Sequence, residues 1–314
     1  MERGHEIKVL DHGYVRLIDY MGSDEAIVEA ARMSTGRGFI SWEPYRRCKR
    51  CDKIAFSVKN RMVGESENEI TRCGGVRGGD VGNHDWTEFP RGDLGLLETM
   101  WKNKHSTPFE FGELHIEVQA PIMVFREWHR HRTQAYSEFS ARYSQMPDLH
   151  YVPTLERIQK QSKTNRQGSG ESWPREEAEV VVRDFEKEQK LVYDYYDELV
   201  KDGLAKEVAR INTPVSRYSK MRAKTDLRNW LGFLMLRMAP AAQFEIRQYA
   251  NAVAEMVKAV WPRTYALFEE HDLHGVYFSR TEVAALRKLI SADDSIANTV
   301  LSKDREAIKA KLGL

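Results

Sequence analysis

Apolar residues follow two rhythms along this chain: alternation appears early, and a three-to-four spacing governs the second half. Residues 5–20 alternate through Ile7, Val9, Leu10, Tyr14, Val15, Leu17 and Ile18, which predicts a hairpin turning at Asp11-His12-Gly13. Ser23 or Asp24 is placed to cap a helix running to Met33. Residues 36–92 break the rhythm. They are rich in Gly, Arg and Asn, poor in aliphatic periodicity, and read as an insertion or extended loop region. From residue 94 the pattern returns, with a helix over 94–104 and a strand over 112–120 that sets Leu114, Ile116 and Val118 on one face. Pro121 suits the first turn of a helix, where its missing N–H costs nothing. That helix carries Ile122, Val124, Phe125 and Trp128 into a cluster of Arg and His. Residues 154–174 are polar and Gly/Ser-bearing, and predict a mobile surface loop.

The second half reads as helical. A long amphipathic helix is expected over 176–201, then one capped by Asp202 and running to Asn212, stopped by Pro214. An apolar helix follows over 225–238, another over 241–270 with a kink at Pro262, and two short helices at the end. Strands early and helices late predict an α+β fold, an antiparallel sheet packed with a mainly helical second half. The expected organisation is one catalytic domain over 1–314, with the 36–92 insertion and a helical extension over 271–314.

Composition narrows the function classes. The 314 residues hold 48 Lys+Arg against 47 Asp+Glu, so no global positive field marks a nucleic-acid binder and any anion site must be local. No apolar run approaches the roughly 20 residues that cross a bilayer, and the N-terminus lacks a signal-like apolar core. Three cysteines in one segment make no disulfide framework, and a cytoplasmic protein without membrane partners is expected. Cys48-x2-Cys51 with Cys73 and His84 offers a Cys3His set for structural zinc; the alternative is three ordinary reduced thiols.

The candidate chemistry lies in residues 126–143. Four arginines (Arg126, Arg130, Arg132, Arg142) and two histidines (His129, His131) share this stretch with Trp128, Tyr136, Phe139 and Tyr143. Guanidinium forks match phosphate oxygens and stack on flat rings. The hydroxyl of Ser140 and nearby backbone N–H groups complete a phosphate cradle. A pocket for a small planar phosphate ester follows. A basic solvated face or an RNA-binding stripe is the competing reading, although Arg130, His131 and Arg132 cannot share one exposed helical face.

The same residues carry a family resemblance. Arg130-His131-Arg132, seven residues, then Ser140-Ala141-Arg142-Tyr143 resembles the signature of the flavin-dependent thymidylate synthases. His105-Ser106-Thr107-Pro108-Phe109-Glu110 upstream is similar to a second family segment. Glu207-Val208-Ala209-Arg210, ending at Pro214, resembles a third; Arg237 with residues 243–249 resembles a fourth. The resemblance covers roughly residues 5–35 and 93–270. It implies methylation of dUMP to dTMP, with 5,10-methylenetetrahydrofolate as carbon donor and FAD reduced by NADPH. It also implies a homotetramer with active sites at subunit interfaces.

Position by position, the resemblance implies dUMP contacts from Glu127, Arg130, Glu138, Ser140, Ala141, Arg142, Arg210 and Arg237. It implies FAD contacts from Thr107, Arg130, His131, Arg132, Glu138, Asp226, Arg228 and Gly232, with His105 near the flavin and folate side. Arg237 is the catalytic candidate, a guanidinium against the uracil ring. Ser140 reads as a phosphate-binding hydroxyl, because no base–orienter pair accompanies it. The chain departs from the family pattern at Ala135, Ser137, Ala241, Asp226, Gly232 and Glu127. Glu127 puts a carboxylate near a phosphate, to be neutralised by Arg126 or Arg142 or else turned aside.

Overall fold

Strands β1 (Glu6–Val9) and β2 (Gly13–Met21) lead into helix α1 (Asp24–Arg32). Four short strands follow, β3 (Tyr45–Cys48), β4 (Ile54–Val58), β5 (Arg61–Val63) and β6 (Trp86–Phe89). Next come α2 (Leu94–Lys102), β7 (Glu113–Pro121), α3 (Ile122–Trp128) and β8 (Ala135–Glu138). A ribbon of β9 (Gln159–Gln161) and β10 (Ser169–Ser172) precedes α4 (Arg175–Lys201) and α5 (Lys206–Ala209). Strand β11 (Tyr218–Asp226) then joins α6 (Leu227–Arg237), α7 (Phe244–Val260) and α8 (Pro262–Phe268). This is a computed structural model, and it describes residues 1–58, 61–63, 85–163 and 168–292. The chain forms two compact units, Met1–Phe268 and Glu269–Leu314; the second holds a π-helical turn (Glu269–Leu273) and α9 (Arg280–Ala292).

The central sheet is antiparallel throughout, in the order β1-β2-β7-β11-β8. Alternation on β7 buries Leu114, Ile116, Val118 and Ala120 completely. Strand β2 adds Val15 and Leu17, and β11 adds Met221 and Ala223. Helix α7 covers this face with Ile246, Tyr249, Ala250, Val253 and Val257. Each large apolar side chain so buried contributes about 1.5–3 kcal/mol. Tyr249 comes so close that a Cβ on residue 13 would stand 1.9 Å from its hydroxyl, so only Gly13 fits. Its hydroxyl donates to Gln119 O at 2.8 Å. The fold is α+β, as the sequence predicts.

One buried carboxylate ties distant segments together. Asp24 Oδ1 accepts from Thr264 N (3.0 Å) and Thr264 Oγ1 (2.7 Å), and Oδ2 accepts from Arg263 N (2.8 Å). These bonds satisfy orphan amides at the start of α8. Burial pushes the Asp24 carboxyl above its ordinary value, and the three donors offset part of that rise.

Several expectations need correction. Within 36–92 stands a four-stranded antiparallel sheet, ordered β5-β4-β3-β6, rather than an extended loop. Its anchor is Tyr45, stacked on Phe89 at 4.7 Å with its hydroxyl donating to Asp93 (2.8 Å). Arg32 of α1 also donates to Asp93, at 2.5 Å. Cys48 is buried, Cys51 partly so, and the Arg50 amide donates to Cys48 Sγ at 3.4 Å; Cys73 and His84 lie outside the described residues. Part of 154–174 is ordered as the β9–β10 ribbon, and Asp202 closes α4 instead of opening a helix. The helix expected up to Asn212 shrinks to α5 and a 3₁₀ turn, Arg210–Asn212. Strands β8 and β11 are missing from the sequence reading. The predicted kink at Pro262 is a full break between α7 and α8 at Trp261.

Candidate active site

Helix α3 stops at Trp128, so the Arg130-His131-Arg132 triplet sits in the turn beyond it rather than on the helix. Trp128 is completely buried, packed 4.6 Å from the Phe233 ring, with its indole N–H donating to Gln134 Oε1 at 3.0 Å. Backbone bonds from Arg130 N to Glu127 O (3.3 Å) and His131 N to Trp128 O (3.0 Å) fold the turn. The Tyr136 hydroxyl donates to His131 O at 2.8 Å. This pinned turn splays the three side chains, with Arg130 and Arg132 exposed and His131 turned inward against Phe233.

Arg237, the last residue of α6, reaches that turn. Its Nε donates to His131 Nε2 (2.9 Å), one terminal nitrogen to Glu127 Oε2 (3.1 Å) and the other to Glu127 O (2.9 Å). Burial and the Arg237 charge push His131 down to about 4. The ring is therefore neutral near pH 7, and accepting at Nε2 places its proton on Nδ1. Burial pushes the Glu127 carboxyl up, Arg237 draws it back, and the Glu245 charge raises it further. The sequence leaves Glu127 to be neutralised by Arg126 or Arg142 or else to turn aside; in the structure it pairs with Arg237.

A second group gathers at the ends of β8 and β11. Glu138 Oε1 accepts from the buried Ser219 hydroxyl at 2.9 Å. Ser140 opens a tight turn in which Ser140 Oγ accepts from Arg142 N (3.3 Å) and Ser140 O accepts from Tyr143 N (3.1 Å). Ala141 anchors that turn in a small core with Met146, Tyr196 and Ala209. Arg142 pairs with Glu207 at 2.8 Å, but both are more than half exposed, so the pair contributes under about 1 kcal/mol. Arg210 follows α5 and lines a cleft of about 400 Å³ with Arg126 and Glu207. Among the described residues, Arg126, Arg130, Arg132 and Arg210 have no side-chain hydrogen bond or ion pair.

The third group lies on and beside the N-terminal half of α6. Asp226 caps the helix, accepting from Asn229 N (2.9 Å) and Asn229 Nδ2 (2.6 Å). Arg228 pairs with Glu110, which follows exposed His105 and Thr107. Gly232 is exposed with nothing within 4 Å of where a Cβ would stand. Ser219 was not legible as a site residue, because only the pairing of β11 with β8 brings it to Glu138. A separate apolar cleft of about 640 Å³, near Tyr151, Trp173 and Phe185, contains none of the sequence-predicted site residues.

Comparison with known proteins adds independent findings. A profile of the family described as Thymidylate synthase complementing protein matches residues 16–263. A flavin-dependent thymidylate synthase of Thermus thermophilus is 38% identical over 293 residues, covering 93% of this chain and 89% of that protein. One from Treponema denticola is 35% identical over 307 residues, 97% of each chain. Among solved structures, a UMP/dUMP methylase, PolB from Streptomyces cacaoi bound with 5-Br dUMP, superposes with a TM-score of 0.62. It is 25% identical and covers 86% of this chain and 100% of that one.

Proposed function

The chain belongs to the thymidylate synthase complementing protein family, and from that premise we propose that it is a flavin-dependent thymidylate synthase. It converts dUMP to dTMP, taking the carbon from 5,10-methylenetetrahydrofolate and using FAD that NADPH reduces. The observation that carries this reading is the three-point hold on Arg237 by Glu127 and His131. A guanidinium so fixed stays protonated and meets negative charge growing on a pyrimidine ring with little reorganisation. His131 accepts only while neutral, and its buried setting keeps it so.

The side chains present also fit the flavin. Arg130 and Arg132, exposed and without side-chain partners among the described residues, suit a pyrophosphate, and the exposed Arg228, Thr107 and His105 would add further contacts. Both carboxylate oxygens of Asp226 are engaged by Asn229, so its part is to fix the α6 terminus beside the flavin. Gly232 leaves room for a flat ring. When bound, FAD supplies the hydride that completes the methyl group. Glu138, steadied by Ser219, would contact both the nucleotide and the flavin, while Ser140, Ala141, Arg142 and Arg210 would hold the nucleotide. Ser140 binds and does not attack, since its oxygen faces the Arg142 amide and no base.

Assembly completes the reading. Helix α4 leaves Val180, Leu191 and Tyr195 exposed on one face, an apolar stripe that suits subunit packing in a cytoplasmic homotetramer with shared active sites. The direct test is spectral and catalytic. The purified protein should carry flavin absorbance that NADPH bleaches, and should form dTMP only with dUMP, the folate and NADPH together. A colourless protein that forms no dTMP overturns the reading.

A further inference from the structure

Arg217 holds a position to which the proposed mechanism gives no task. Its backbone is fixed just before β11, with its N–H donating to Pro214 O (3.1 Å) and its carbonyl accepting from Ile122 N (2.9 Å). Only 9% of the residue is exposed, and its buried Nε has no hydrogen-bond partner. No ion pair or side-chain hydrogen bond reaches its guanidinium among the described residues. Arginine does not shed its proton inside proteins, so a full charge sits in a largely buried residue with no ion pair among the described residues. Burial and the Arg210 charge weaken its hold on the proton, and Glu138 strengthens it, which places Arg217 in the field of two nucleotide-site residues.

Arg126, Arg210 and Arg217 line one cleft of about 400 Å³, together with Glu207 and Thr213. The Glu207 carboxylate is drawn to Arg142, and the Thr213 hydroxyl donates to Arg210 O at 2.8 Å. Three guanidinium groups without partners therefore share a concave space. Like charges so placed repel unless an anion joins them, and a phosphate dianion offers oxygens to several forks at once.

Building on the dUMP reading, we propose that Arg217, flanked by Arg126 and Arg210, binds the phosphate monoester of the nucleotide and selects a 5′-monophosphate over the free nucleoside. Arg217 is thus a substrate-binding residue that sequence motifs do not mark, because it precedes a strand and sits outside the Arg-dense segment.

Calorimetry on the full-length protein as purified tests this with dUMP, deoxyuridine and inorganic phosphate as titrants. Arg217→Leu should weaken dUMP roughly 10- to 100-fold, the range of a lost charged hydrogen bond, and leave deoxyuridine unchanged. Arg217→Lys should recover part of the loss. Inorganic phosphate should raise the thermal midpoint of the wild type and not that of Arg217→Leu, whose unliganded midpoint should equal or exceed the wild type's. Arg126→Ala, at an exposed position, gives a second variant and should weaken dUMP several-fold without touching deoxyuridine. Undiminished preference for dUMP over deoxyuridine in Arg217→Leu overturns the proposal. So does a variant that fails to fold or changes only the native mass, since Arg217 would then serve the fold or a subunit contact. If the wild type ignores dUMP yet responds to inorganic phosphate through Arg217, the anion site stands and the dUMP reading falls.

Discussion

Arg237 makes its contacts with two residues of unlike chemistry, Glu127 and His131, and both must keep their present charge state for it to stay in place. Replacing it with Ala removes the guanidinium proposed to meet the pyrimidine ring and leaves the arginines proposed for the flavin in place. dTMP formation should fall by about 10²–10³-fold while FAD remains bound, as checked by turnover and flavin absorbance on the same sample. His131 provides a pH test. Its folded value of about 4 lies below the ordinary 6.5 of an unfolded histidine, so the neutral ring stabilises the fold above pH 6.5. That contribution drains away as pH falls toward 4. The thermal midpoint should drop through this window, and His131→Gln should flatten the slope. Glu127 works in the opposite direction, because burial raises its carboxyl and its protonation in acid favours the folded chain.

Helix α6 links Arg237 to the residues proposed for the flavin, and its first turn depends on one cap. Asp226→Ala should cost about 1 kcal/mol in chemical denaturation, while Asp226→Asn should cost little, because both side chains accept the same amide hydrogen. Strand β7 and helix α3 were legible in the sequence because Leu114, Ile116 and Val118 alternate and the period then lengthens. Strand β11 was hidden. Its inward positions include Ser219, Ala223 and Thr225, and its outward ones are Lys220, Arg222 and Lys224, so it shows little hydropathy contrast. The small sheet of β3 to β6 was hidden for a different reason, since strands of three to five residues are too short for an alternation to stand out. The arginines of the site were legible by spacing. Ser219 was not, because it reaches Glu138 only through the pairing of β11 with β8, and Arg217 was not, because it lies outside the Arg-dense segment.

At the scale of the whole molecule, the 27-residue α4 buries only Ala178 and Tyr196, while Leu191 is 72% exposed. An assembled protein should elute well above its 36.4 kDa chain mass, and Leu191→Asp should lower that mass when light scattering is read across the peak. dTMP formation should decline with it, since the proposed active sites are shared between subunits. The bonds from Asp24 to Arg263 and Thr264 span about three quarters of the chain. A ribosome releases residue 24 long before residue 264, so during synthesis the first helix waits with an acidic group whose donors do not yet exist. Nascent chains arrested short of that point should remain sensitive to protease near α1, and protection should arrive only once the α8 segment clears the exit tunnel.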